Sequence, residues 1–272
     1  PTGSGKSTLT LLLARLWDPG TGRIHLDGRD LRDFARYQLP REIAYVAQSS
    51  FLFDDTVTGN ITMGLDVPQE QVIVAARLAG AHDFIDELPN GYGTRIGERG
   101  ASLSGGQRQR VALARALVRR PRVLIMDDAT SAVDPSVEAE ILRGLRAAEL
   151  PSTIVIVAYR PSSIRLADEV IFVDEGRVVA QGDHATLLRT QPGYARLVLA
   201  YEHAAAARLE ASCPQTSAIY PHRPPSGVPS PRSRSSSGGC GWSCCSTSAA
   251  PECNFSSRSS SSRRSTTTSP QT

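Results

Sequence analysis

Along the first 200 residues, short and fully apolar runs alternate with segments whose apolar residues recur every three or four positions. The recurrence predicts helices over residues 7–17, 68–88, 106–118 and 135–148. The leucine-rich first segment runs into Asp18, Pro19 and Gly20, which stop a helix. In the second, Val72, Ala75, Ala76 and Ala79 share one helical face. A glycine pair precedes the third and Pro121 follows it, while Pro135 opens the fourth, where its missing N–H costs nothing. The apolar runs predict strands over residues 23–26, 43–47, 123–126, 153–158 and 170–173, with a turn at Glu175-Gly176 into a further strand at 177–180. Short apolar strands separated by helices predict an α/β domain with a mainly parallel central sheet. No internal repeat is visible.

Composition sharpens this picture at two points. With 272 residues, 40% of them hydrophobic, the chain can bury one sizeable core. No apolar run approaches the ~18–20 residues of a membrane helix. After about residue 210 the pattern ends: residues 211–272 hold 19 Ser and 8 Pro, too little apolar surface to offset ordering entropy. This segment is expected to be a disordered tail, or else an out-of-frame translation of a GC-rich gene. It also holds all five cysteines, so residues 1–210 are expected to use neither disulfide nor thiolate metal site. The net charge of +3 comes from the tail, which has six Arg against one Glu. The rest is near neutral, which argues against a nucleic-acid partner.

Three motifs carry chemistry. Residues 3–8 read Gly-Ser-Gly-Lys-Ser-Thr, the second half of a phosphate-binding loop whose first Gly would precede Pro1. Glycines let successive N–H groups curl around phosphate oxygens, and the following helix points its positive end at them. Lys6, the single lysine of the chain, sits at the motif's charge position, and Ser7 would ligate Mg²⁺. The apolar run at 123–126 ends in Asp127, which a buried parallel strand would deliver to the carboxyl edge of the sheet. Between them, Leu103-Ser104-Gly105-Gly106-Gln107 opens an alanine-rich helix, a second anion-binding end. One domain has little use for two separate γ-phosphate sites; two copies packed head to tail would have one.

The residues 103–107 resemble the signature motif of ATP-binding cassette (ABC) proteins. The order phosphate loop, Gln48, signature, Walker B strand and Ser131-Ala132-Val133-Asp134 is similar to that family over roughly residues 1–200. The wording of residues 45–53, 97–100 and 127–132 looks like the exporter subclass. The resemblance implies an ABC ATPase fold over residues 1–205, lacking its N-terminal strands, and binding of ATP and Mg²⁺. Gly3, Ser4, Gly5, Lys6, Ser7 and Thr8 would hold the phosphates, with Ser7, Gln48 and Asp127 toward Mg²⁺. Gln48 would also contact the attacking water. Ser104, Gly105, Gly106 and Gln107 would touch the γ-phosphate held by a second nucleotide-binding domain, and Asp134 would line that interface. A transmembrane domain of the same transporter, absent from this chain, would place it at the cytoplasmic face of a bacterial membrane. A soluble ABC ATPase, an importer subunit and a non-hydrolytic ATP-binding regulator are the alternatives.

Two positions depart from the family pattern. Asp128 stands where the general base is normally Glu, and Tyr159 where a His is expected after the strand at 153–158. A phenol with pKa ~10 cannot replace an imidazole near neutrality. With an intact signature, these changes resemble the degenerate half of a heterodimeric exporter: its own catalytic set (Asp128, Gln48, Tyr159) is impaired, while its signature serves the partner.

Overall fold

The computed structural model describes residues 3–35, 37–148, 150, 152–158 and 160–212, with side chains to residue 204. Tyr159 and residues 213–272, with the five cysteines, lie outside the described residues.

Helix α1 spans Lys6–Leu13 and β1 (His25–Leu26) pairs antiparallel with β2 (Arg29–Asp30) around Asp27-Gly28. Then come α2 (Leu39–Glu42), β3 (Ile43–Val46), α3 (Val57–Thr62), α4 (Gln69–Leu78) and α5 (His82–Asp86). The second half runs α6 (Gly105–Leu117), β4 (Val123–Asp127), α7 (Pro135–Ala147), β5 (Thr153–Val157), α8 (Pro161–Arg165), β6 (Val170–Asp174), β7 (Arg177–Gly182), α9 (His184–Thr190) and α10 (Pro192–Ser212). The central sheet is parallel, in the order β3-β4-β5. Strand β4 lies in its middle and is apolar on both faces. Leu124 and Met126 enter the core shared with α3, α4, α6 and α7, while Ile125 faces Leu31, Leu39 and Ile43. That burial on both sides is why the run is continuous rather than alternating.

The structure corrects several sequence expectations. The helix predicted over 7–17 ends at Leu13, because Arg15 takes a left-handed φ of 49° and closes a Schellman-type end, with Leu16 N–H donating to Leu11 O. The strain is offset by the Arg15 guanidinium, which donates to Leu31 O (2.7 Å) and Phe34 O (3.1 Å). The stretch 68–88, expected to be mostly helical, is divided into two helices. Gly80 (φ 61°) ends α4, with Ala81 N–H donating to Ala76 O, and a Cβ there would meet Ile141 at 3.2 Å. The strand predicted over 23–26 pairs in a small ribbon instead of the parallel sheet, and β6–β7 form a separate antiparallel hairpin.

Helix α6 organises the site. It packs against α3, α4 and β3, and its first turn sits on the loop after β4. A Cβ on Gly106 would lie 2.7 Å from the Ala132 carbonyl oxygen, whereas one on Gly105 would only touch the Ala132 methyl at 3.4 Å. Glycine at 106 is thus a packing requirement. Behind the same loop, buried Glu138 accepts from Thr130 Oγ1 and Ser163 Oγ (2.8 Å each) and pairs with Arg160. Arg160 in turn donates to Ser131 O (3.0 Å) and Val133 O (2.9 Å), so the loop backbone is clamped from both sides.

Gly106→Ala should destabilise the domain by about 1–3 kcal/mol, the usual cost of overpacking, while Gly105→Ala should be nearly silent. Thermal unfolding of the two variants checks this, at roughly 2–4 °C per kcal/mol for a domain of this size. Equal midpoints would show that α6 does not seat on the 131–133 loop. Glu138→Ala should cost about 2–4 kcal/mol in the same assay, because Arg160 would keep its charge without its partner.

Candidate functional site

The site grows from the carboxyl edge of β4. Gly3 and Gly5 adopt φ of 82° and 90°, left-handed values that glycine takes without strain, and Gly5 caps α1. Ser4 is buried between them, and its carbonyl accepts from Gly176 N–H (3.1 Å), so the β6–β7 turn props the loop from below. The Lys6 Nζ donates to Ser4 Oγ (2.8 Å). Thr8 is exposed on the first turn of α1.

Asp127 is 6% exposed and sits among three hydroxyls. Ser7 Oγ lies 3.3 Å from Oδ1, and Thr10 Oγ1 and Tyr45 OH lie 3.3 and 3.1 Å from Oδ2. Burial, reinforced by the Asp127 charge, pushes the Tyr45 phenol above its usual range, so Tyr45 remains a donor. The donor set suits Mg²⁺, a hard cation usually held by one or two carboxylates together with substrate phosphates. Ser7 Oγ and Asp127 Oδ1, 3.3 Å apart, are the oxygens of this chain that would hold it, directly or through water. Among the described residues no cluster of three or more His, Cys, Asp or Glu could cage a metal without phosphate.

Gln48 and Asp128 extend past the same end of the sheet, since β3 and β4 pair with Val46 opposite Met126. Gln48 Nε2 donates to Asp128 Oδ2 at 2.9 Å. Asp128 holds a left-handed φ of 52°, unusual for a non-glycine residue, which turns its carboxylate back toward Gln48. Burial raises the Asp128 pKa; the Arg160 charge opposes this, and the Asp127 and Glu138 charges add to it.

The signature end has a complete capping box. Ser104 Oγ accepts from Gln107 N–H (3.2 Å) and Gln107 Oε1 accepts from Ser104 N–H (2.8 Å). The Ser104 hydroxyl accepts here, so its proton is available to an acceptor outside the helix. Gly105 and Gly106 follow as the first two helical residues. Asp134 caps α7, its carboxylate accepting from Ser136 N–H and Oγ, which lowers its pKa.

Thus Gly3–Thr8, Gln48, Asp127 and Asp128 come together at one sheet edge, while Ser104–Gln107 form a separate, outward-facing helix end. Sequence reasoning missed Thr10, Tyr45, Gln109, Glu138 and Arg160. Thr10 lies one helical turn after Ser7 on the same face of α1, a spacing that could have found it. Nothing in the sequence marks the other four.

Because the folded state raises the Asp128 pKa above its unfolded value, folding favours the protonated form. The stability from this group is present below the ordinary carboxylate range and lost as pH rises through the raised pKa. Asp128→Asn should therefore raise the unfolding midpoint at about pH 7 and bring no gain near pH 3.5. A gain independent of pH would contradict the burial described here.

Residues 1–131 match the ABC transporter family. The exotoxin translocation ATP-binding protein PaxB of Pasteurella aerogenes is 48% identical over 193 residues, 71% of this chain and 27% of its own length. The ATP-dependent lipid A-core flippase of Vibrio cholerae is 46% identical over 198 residues, 72% of this chain and 34% of its own. A solved structure of a bacterial Atm1-family ABC exporter with ATP bound superposes with a TM-score of 0.69 at 43% identity, covering 72% of this chain and 35% of the exporter's. The chain spans about a third or less of the length of these relatives. The glycine loop, the Asp127 edge and the capped helix at 104–107, in this order and on this sheet, agree with that match: residues 1–131 carry an ABC transporter domain, built in the ABC ATPase fold.

Proposed function

We propose that this chain is the ATP-binding and ATP-hydrolysing domain of an ABC exporter, occupying residues 1–205, and that it works in a head-to-tail pair with a second nucleotide-binding domain. The observation that carries the reading is the meeting of the phosphate loop, Ser7 and Asp127 at one sheet edge, with Gln48 and Asp128 beside them. The glycine-backed loop and the α1 N-terminus bind the phosphates through N–H groups. Lys6 adds a cationic point charge and Ser7 with Asp127 would hold Mg²⁺. Held there, the metal would neutralise negative charge on the phosphates. Gln48 orients Asp128, and Asp128 is aimed at the attacking water.

The export reading draws on the named relatives, among them a lipid flippase and a toxin translocation protein. A transmembrane domain would then hold the chain at the cytoplasmic side of a membrane; no helix among the described residues is long and apolar enough to cross one. Phe51 and Phe53, 53% and 47% exposed and packed edge to face at 5.1 Å, lie just past Gln48-Ser49-Ser50 and offer an apolar contact for that domain.

The partner is unequal in this reading. Asp128 is one methylene shorter than Glu, and a ~1 Å misplacement can cost ~10²-fold in rate. Tyr159 replaces the expected imidazole. Each ATP in a head-to-tail pair lies between one chain's phosphate loop and the other's signature. The Asp128 and Tyr159 changes therefore impair only the site on this chain's phosphate loop, and Ser104–Gln107 complete the partner's site.

Two outcomes are expected in the full-length transporter. Lys6→Ala should weaken ATP affinity at least ~10-fold, consistent with loss of ~1.4 kcal/mol or more of charge interaction; unchanged affinity in nucleotide titrations would remove the phosphate-loop assignment. In steady-state ATPase assays of the assembled pair, Ser104→Ala should reduce turnover more than Asp128→Ala does. The opposite order would mean that this chain's own site is the productive one.

A further inference from the structure

Gln109 is a glutamine inside α6, 5% exposed, where an apolar residue would be the ordinary occupant. Its carboxamide joins three segments. Nε2 donates to the Gln48 carbonyl (3.1 Å) and to Ser131 Oγ (3.0 Å), and Oε1 accepts from Ala132 N–H (2.8 Å). Two donors and one acceptor site are thereby used, so the side chain is close to fully committed. It stands one helical turn after Gly106, which packs on the same Ala132 backbone.

These contacts link groups that serve different ATP sites. Gln48, whose backbone Gln109 holds, directs its own amide to Asp128 at 2.9 Å. The 131–132 segment belongs to the loop that leads to Asp134, and Ser104 opens the helix that carries Gln109. We infer that Gln109 is a positioning residue that locks the Gln48 loop, the signature helix and the 131–134 loop into one body, so that a shift at the signature end reaches the Gln48–Asp128 pair. This rests on the roles given to Gln48 and the signature above. A direct path exists for it: one side chain touches both loops and sits on the helix between them.

No leucine can replace these bonds. Removing the carboxamide leaves Ala132 N–H and the Gln48 carbonyl without their buried partners, and frees the Gln48 backbone to drift. Gln109→Glu preserves shape and the acceptor for Ala132 N–H but loses the donor toward Gln48 and Ser131.

The test uses the full transporter with its membrane domains and with a partner domain whose own catalytic base has been removed, so that turnover reports the slower site on this chain's phosphate loop. Nucleotide affinity, kcat and KM for ATP, and the unfolding midpoint are measured for Gln109→Leu, Gln109→Glu, Gln48→Ala and the two double variants. Both Gln109 variants should lower kcat ~10–100-fold, since a displacement of about 1 Å is costly, with ATP affinity unchanged within about twofold, because Gln109 does not touch residues 3–8. In the Gln48→Ala background the further loss from either should fall below about threefold, the mark of groups acting through one another. Should Gln109→Leu fold poorly, Gln109→Glu carries the same comparison. A lowered midpoint with wild-type kcat per folded molecule, or losses that multiply with those of Gln48→Ala, overturns the inference. If Gln48→Ala itself leaves turnover unchanged, the role of Gln48 fails and the inference fails with it. If Gln48→Ala lowers turnover and neither Gln109 variant does, only the inference fails.

Discussion

A carboxylate buried at the end of a strand that is itself buried on both faces must be satisfied, or the strand cannot stay where it is. Asp127 meets that demand with hydroxyls from two directions: Ser7 and Thr10 from α1, and Tyr45 from β3. The same contacts fix the distance between phosphate loop and sheet edge. The geometry of the proposed site is therefore a by-product of solving a desolvation problem. The loop cannot move off the strand without exposing Asp127 to unpaired burial, and the strand cannot slip without breaking the parallel register with β3 and β5.

A second constraint acts beside it. The loop after β4 carries residues from Asp128 to Asp134 and has no regular hydrogen-bond ladder of its own. Two turn bonds, Ser131 N–H to Asp128 O and Val133 N–H to Thr130 O, take up part of its backbone, and side chains take up more: Gln109 on one side, and Arg160, held by Glu138, on the other. Gly106 lets α6 come close enough for this. Polar side chains inside the core thus do for an irregular loop what a ladder does for a strand. Because α6 contributes both the clamp and the signature cap, the position of one is tied to the position of the other.

How much of this could be read in advance differs by element. The parallel sheet followed from apolar runs of strand length, and β4 stood out because Val123–Met126 are apolar without interruption. The phosphate loop and Ser104 were legible because glycine and helix-capping serine have strong local causes. The ends of α1 and α4 were not read correctly. Gly80 carried a usable signal for a left-handed cap, but Arg15 did not, since only its bonds to Leu31 O and Phe34 O make that conformation tolerable. Gln109, Glu138 and Arg160 were hidden for the same reason. Apart from Thr130, eight residues before Glu138, their partners lie 22 to 61 residues away in the chain, and no local pattern announces such a pairing.

The central claim is that the residue 3–8 loop and the residue 104–107 helix end belong to phosphate sites of one ATP-closed pair. Amide hydrogen exchange of the assembled transporter, compared with and without Mg·ATP, addresses it directly. Exchange should slow at both segments together when nucleotide is added, because the N–H groups of each become phosphate donors. Slowing at residues 3–8 with no change at 104–107 under closing conditions, or no change at either, would contradict it.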